Sequence, residues 1–274
     1  MTHNNKRRIA STLLALAMTA SGLPSTAGAE AFDGWQFQAV IYGYLPDIGG
    51  KTTFPAGVGG SDINVDASTI IENLKFVFMG NIEARKDRWG LFTDLMYLDV
   101  GGSKSQSRDV GTGGLPLPAG VTADLNLDLK GTIWTLAGTY RISSDPSATF
   151  DVLAGARLAD VKQNLGWQFS ADLGPLQPSR SGNSEVKVSV WDGIVGMKGR
   201  FAFGERREWV VPYYADVGTG NSDLTWQVFG GIGYSFHWGD VIAGWRYLDY
   251  KFKSGARVED LNFNGPLIGA AFRW

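Results

Sequence analysis

Few residues in this chain can do chemistry by familiar routes. It has no Cys and only two His, His3 and His237. Without thiolates, and with a single imidazole beyond the first few residues, no transition-metal site can be assembled from soft or imidazole ligands. A Ser-His or Cys-His nucleophile lacks parts for the same reason. His237 precedes Trp238 in a short stretch between two strand-like runs and reads as an interfacial turn residue. The run Gly230-Gly231-Ile232-Gly233 belongs to a strand pattern, so its glycines are not a phosphate loop. What remains is charge. Glu83, Asp94, Asp151, Asp192 and Asp216 share the parity of Arg85, Arg157, Lys198, Arg200, Arg246 and Arg273 within their segments. Opposite charges on one face of a closed sheet can pair and fill its interior, or line a charged, selective passage. The residues expected to line such a lumen are Glu83, Arg85, Asp94, Arg157, Asp192, Arg200 and Arg246. On this reading the chain is not an enzyme and takes no cofactor and no metal.

The elements that must position these charges read as strands. From about Trp35 to Leu45, Trp35, Phe37, Ala39 and Ile41 form one face and Gln36 and Gln38 the other. Phe76, Phe78, Ile82 and Ala84 alternate with Asn81, Glu83 and Arg85. Trp89, Leu91, Leu95 and Tyr97 share a face that excludes Asp94. The same two-residue period recurs around residues 134–140, 150–158, 191–201, 209–216, 226–236, 241–247 and 267–274. Period-two alternation is the mark of a strand between two different environments. In the fourth strand the apolar positions change parity, from Leu125, Leu127 and Leu129 to Trp134 and Leu136. A bulge is expected at Gly131.

Connections alternate in length. Short ones fall at residues 86–88, 143–148, 204–208 and 237–240; longer ones fall at 46–75, 99–123, 170–185, 218–223 and 253–258. Ten antiparallel strands return both termini to the short-turn end; eight would merge separate hairpins, and twelve would need strands hidden in the loops. Trp35, Trp89, Phe150, Trp209 and Trp238 open strands at that end, and Tyr140, Phe201, Phe236 and Trp274 close them. Rings at strand ends suit the two interfaces of a bilayer. A short helix is expected in the first long loop, where Thr69 and Glu72 have capping-box spacing. The second loop, 101–120, rich in Gly, Ser and Pro, is expected to be mobile.

The N-terminus reads as an export signal. Lys6, Arg7 and Arg8 precede an apolar run from Ile9 to Ala20, and Ala27-Gly28-Ala29 offers a small-residue cleavage site. Residues 1–29 are thus a signal peptide and 30–274 one barrel domain. Loss of three basic residues takes the net charge from −2 to −5, which argues against a nucleic-acid partner. Mean hydropathy is −0.08, too low for a helical membrane protein but compatible with strands that alternate lipid-facing and lumen-facing residues.

Four stretches carry a family resemblance: residues 83–91 (EARKDRWGL), 222–227 (SDLTWQ), 244–250 (GWRYLDY) and Gly265-Pro266-Leu267. Together they resemble an uncharacterised family of porin-like outer-membrane β-barrel proteins of Gram-negative bacteria. The C-terminal strand, with Ile268, Ala270, Phe272 and Trp274 on one face, resembles the assembly signal of such barrels, with Phe272 and Trp274 as its aromatic end. The resemblance implies a closed antiparallel transmembrane β-barrel in the outer membrane. Its implied partners are outer-membrane lipid, lipopolysaccharide and the barrel-assembly machinery. It transfers no substrate and no catalytic residue. Two functions follow: a narrow passive channel for small solutes or ions, or a structural or surface-interaction barrel without transport.

Overall fold

The computed structural model describes residues 34–52, 61–107, 121–171, 179–254 and 258–274. The expected signal peptide lies outside the described residues. In chain order the elements are β1 (Trp35–Tyr44), β2 (Asp47–Thr52), β3 (Ser61–Val65), α1 (Ala67–Glu72), β4 (Leu74–Lys86), β5 (Trp89–Ser107) and β6 (Val121–Asp145). There follow β7 (Ala148–Ala171), β8 (Ser179–Phe203), β9 (Trp209–Gly220), β10 (Ser222–Ser235), β11 (Gly239–Phe252) and β12 (Val258–Arg273).

Ten of these strands close a barrel. β1 pairs with β4, each strand from β4 to β12 pairs with the next, and β12 returns to β1. The closing seam is antiparallel, from Gln38 opposite Arg273 to Tyr44 opposite Leu267. Closure leaves no open edge, so backbone groups are satisfied within the sheet, the condition for strands to sit in hydrocarbon. β2 and β3 are strands inside the first long loop, yet they add nothing to the barrel count. β2 continues the line of β1 beyond Pro46 and pairs with the outer half of β12, and β3 folds back on β2. The join is tight. A Cβ on Gly265 would come within 2.7 Å of Pro46 Cα, so glycine lets the two chains touch there.

The outer surface shows which solvent the sheet expects. Ile41, Phe78, Ile82, Leu91, Val195, Met197 and Ile268 are all exposed. Rings bound this band at both ends. At the short-turn end Phe203, Trp209, Tyr234, Phe236, Trp238 and Phe272 form a chain of neighbouring rings, each pair with centroids 5.0–6.5 Å apart. At the other end Trp134 meets Trp191, and Trp226 meets Tyr247. The ten residue steps from Trp191 to Phe201 span about 33 Å along a strand. A tilt of about 40° reduces that to about 25 Å along the axis, the height of the apolar band in transmembrane barrels.

The structure corrects the expected bulge at Gly131. Pairing on both sides of β6 runs through Gly131 without a register shift; the irregularity on this strand falls between Arg141 and Ser143. On both sides of Gly131 the odd positions of β6 face inward, since Leu129, Ile133 and Ala137 all join the interior. The even positions from Lys130 to Leu136 face outward, and it is their surroundings that change. Trp134 and Leu136 lie in the apolar band, whereas Lys130, beyond it, is exposed and pairs with Asp99 at 2.9 Å. Two further expectations change. Residues 101–107 of the second loop are strand, paired with 122–128, and 108–120 lie outside the described residues. The helix begins at Ala67, so Thr69 lies within it, and its N-terminal amide at Ala67 donates to Asp47 Oδ1 at 2.9 Å.

Candidate functional site

Strand parity delivers the charged side chains to the barrel interior, and strand tilt decides which of them meet. Among the described residues, most of them gather in three places.

The first cluster lies at the short-turn end. Arg85 on β4 donates to Glu83 and, at 2.6 Å, to Asp151 on β7. Arg141 on β6 grips the same Asp151 with two bonds of 2.7 and 3.0 Å. Lys198 on β8 pairs with Glu83 and sits 4.3 Å from the centroid of the Phe92 ring. Across the lumen, Asp240 on β11 accepts a bidentate pair from Arg273 on β12 and a 2.7 Å bond from Ser235. Arg200 on β8 approaches Asp240 only to 3.8 Å. Three carboxylates therefore face five cations.

The second cluster is balanced. Arg246 on β11 donates to Asp94 on β5 at 2.8 Å, to Tyr42 Oη at 2.9 Å and to Gln227 at 2.7 Å. Tyr42 donates in turn to Asp94 at 2.7 Å. Tyr44 donates to the Arg246 carbonyl at 3.1 Å. The third cluster has Arg157 on β7 paired with Asp216 on β9, both side chains with 0% exposure, and braced by Thr135 and Thr225.

A cavity of about 510 Å³ joins the first two clusters. It is reached from the short-turn end, and Tyr42, Asp94, Gln227 and Arg246 form its inner limit. Phe92, Val210, Phe229 and Ile242 supply apolar wall. Above that limit Arg157, Leu248 and Tyr250 are completely buried. Higher still, Ile70 of α1 packs with Ile48 of β2 and Val100 of β5 across the long-loop end.

Of the seven side chains expected in the lumen, Glu83, Arg85, Asp94, Arg200 and Arg246 line this cavity. Arg157 is buried beyond it. Asp192 is also buried and accepts from Ser222 through both backbone amide and hydroxyl, tying β8 to the start of β10. Tyr42, Tyr44 and Gln227 were not anticipated. Their parity follows from the alternation of β1 and β10, but neutral groups gave no charge signal to single them out. Asp240, expected in a turn, is the second residue of β11.

No protein-family model matches the chain, and no curated protein does. Among solved structures, the chain is similar to the outer-membrane protease OmpT of Escherichia coli, with 12% identity, 88% of this chain and 97% of that chain covered, and a TM-score of 0.50. Lower scores join it to the translocator domain of the autotransporter NalP of Neisseria meningitidis (15% identity, 97% of this chain and 96% of that chain covered, TM-score 0.40) and to Ail of Yersinia pestis (14% identity, 88% and 99% covered, TM-score 0.28). The closed ten-stranded architecture, apolar outside and charged within, is the fold of outer-membrane β-barrel proteins.

That finding corrects the expectation that the chain is not an enzyme. A protease shares the fold, so the fold is no ground for excluding catalysis. The exclusion also rested on reading His237 only as an interfacial turn residue, whereas Ser235 stands two residues before it and donates to the buried Asp240. Counting His and Cys tests which familiar tools are present, not whether a barrel can carry a site.

Proposed function

We propose that the protein is an outer-membrane β-barrel whose lumen is closed at mid-height, with a vestibule open toward the periplasm. The observation that carries this reading is the Arg157–Asp216 pair, wholly shielded from solvent. A water-filled pore would leave water against some side chains at every level, whereas Arg157 on β7 and Leu248 and Tyr250 on β11 are all without exposure. A guanidinium and a carboxylate without exposure require protein packing around them instead. The apolar band and its two aromatic girdles support placement in the bilayer, with outer-membrane lipid and lipopolysaccharide as neighbours. The short turns then face the periplasm. Phe272 and Trp274 stand at the closing seam, Phe272 5.5 Å from the Trp238 ring and Trp274 6.0 Å from that of Phe37. That position suits recognition of this strand by the assembly machinery.

The test is single-channel recording of the refolded barrel in planar bilayers. The expected outcome is no steady current at low voltage, in place of the passive channel that the charge pattern first suggested. A persistent ohmic conductance would overturn the closed-lumen reading.

A further inference from the structure

We infer that the vestibule is a binding site for a small organic carboxylate. The inference rests on the closed-lumen reading only in placing the site on the periplasmic side; its chemistry comes from the vestibule's own side chains.

Counted over side chains, the first cluster leaves two positive charges in excess inside a cavity of about 510 Å³, within the range of small-molecule sites. The excess is uneven. Glu83 and Asp151 are consumed by short bonds from Arg85, Arg141 and Lys198. On the opposite wall Asp240 is engaged by Arg273 and Ser235, leaving Arg200 with a contact of 3.8 Å, beyond hydrogen-bond length. Its strand is anchored beside β7, where the Arg200 backbone amide donates to Thr149 Oγ1 at 3.2 Å. A guanidinium presents a planar fork of donors whose matching partner is a carboxylate or phosphate. Arg200 offers that fork to the cavity, and the partly exposed Arg273 flanks it.

The walls choose among anions. Beside Arg200 the lining is Val210 and Pro212, followed by Ile242, with Phe229 and Phe92 deeper in. A hydrated inorganic anion gains nothing from these surfaces. An anion with a compact apolar body buries them while its charged end meets Arg200 and Arg273. Apolar walls with a few convergent polar groups are the usual build of small-molecule pockets.

The experiment uses the refolded barrel in zwitterionic detergent at low chloride, titrated calorimetrically with benzoate, inorganic phosphate and benzylammonium. Benzoate is expected to bind saturably, one per chain, and more tightly than phosphate. Benzylammonium, similar in shape and opposite in charge, should not bind. Arg200→Gln should weaken benzoate about tenfold or more, the scale of one charge-assisted hydrogen bond. Asp240→Asn should tighten it, because it releases Arg273 and removes a competing carboxylate; no loss of folding can mimic that gain. Equal binding of benzoate and phosphate would overturn the organic class. Absence of benzoate binding, or indifference to Arg200→Gln, would overturn the site. Conductance plays no part here, so the closed lumen could fail while the site stands.

Discussion

At the scale of single residues, this interior is built on long-range pairs. Arg246 and Asp94 are 152 positions apart, and Arg85 and Asp151 are 66 apart. Such pairs punish loss of one partner more than loss of both. Arg157→Ala strands the Asp216 carboxylate in a dry layer and should cost about 3–5 kcal/mol. The measurement is the urea midpoint of the refolded barrel, read from the heat-dependent gel shift of closed barrels. Arg157→Met with Asp216→Leu removes both charges and should fall near the wild-type midpoint or above it. If the single variant matches wild type, the pair is not dry. The charges themselves were legible in the sequence, because a two-residue period says which side of a sheet a side chain takes. Their partners were not. Parity carries no height, and height within a tilted barrel decides that Arg246 meets Asp94 while Asp192 instead ties down Ser222. Tyr42 escaped notice because a neutral hydroxyl becomes a strong partner only when a carboxylate and a guanidinium reach it together.

At the scale of elements, strand number and most turn positions follow from alternation and turn residues. The ends of the strands do not. β5 to β8 run 19, 25, 24 and 25 residues, well past the apolar band. Along β6 the even positions change from Trp134 and Leu136 within the band to Asn126, Asp128 and Lys130 beyond it, while Leu125, Leu127 and Leu129 keep the odd positions apolar. The environment changes there and the hydrogen-bonded ladder does not, which is how Gly131 came to resemble a bulge. α1 was legible as a helix, but its role depends on contacts with β2 and β5. Ile70→Asp would place a carboxylate among Ile48, Val100 and their apolar neighbours, where an unpaired charge is costly. The expected result is detachment of α1: limited proteolysis should cut near residues 66–73 in the variant and spare them in wild type. The ten barrel strands should stay intact by gel shift. Equal protection in both proteins would mean that Ile70 does not hold the helix in place.

At the scale of the whole molecule, the proposed closed lumen divides the interior into a wet lower half and a packed upper half, and the absence of cysteine makes that division directly measurable. Any single Cys introduced into this chain is the only thiol present. Gln38 lines the vestibule near its mouth, where its side-chain oxygen accepts from Arg273 at 3.2 Å. Val190 faces inward in the upper half, within the core that includes Leu248 and Tyr250. A Gln38→Cys barrel should react with a charged methanethiosulfonate in detergent, where both ends are open to reagent. In intact cells, on the proposed orientation in the outer membrane, reagent small enough to pass general porins should reach the vestibule only from the periplasm; a bulky impermeant maleimide should leave Gln38→Cys unlabelled until the outer membrane is broken. Val190→Cys should resist both reagents in both settings and react only after unfolding. The surplus of cations in the vestibule adds a sign to the expectation. Relative to their rates with a small thiol in solution, the sulfonate-bearing methanethiosulfonate should gain over its ammonium analogue at Gln38→Cys, and that gain should shrink as salt screens the field. Labelling of Val190→Cys in the folded protein would show that water reaches the upper half, and the closed lumen would then be wrong. A rate ratio at Gln38→Cys equal to that with the small thiol at low salt would remove the electrostatic bias that the five cations predict.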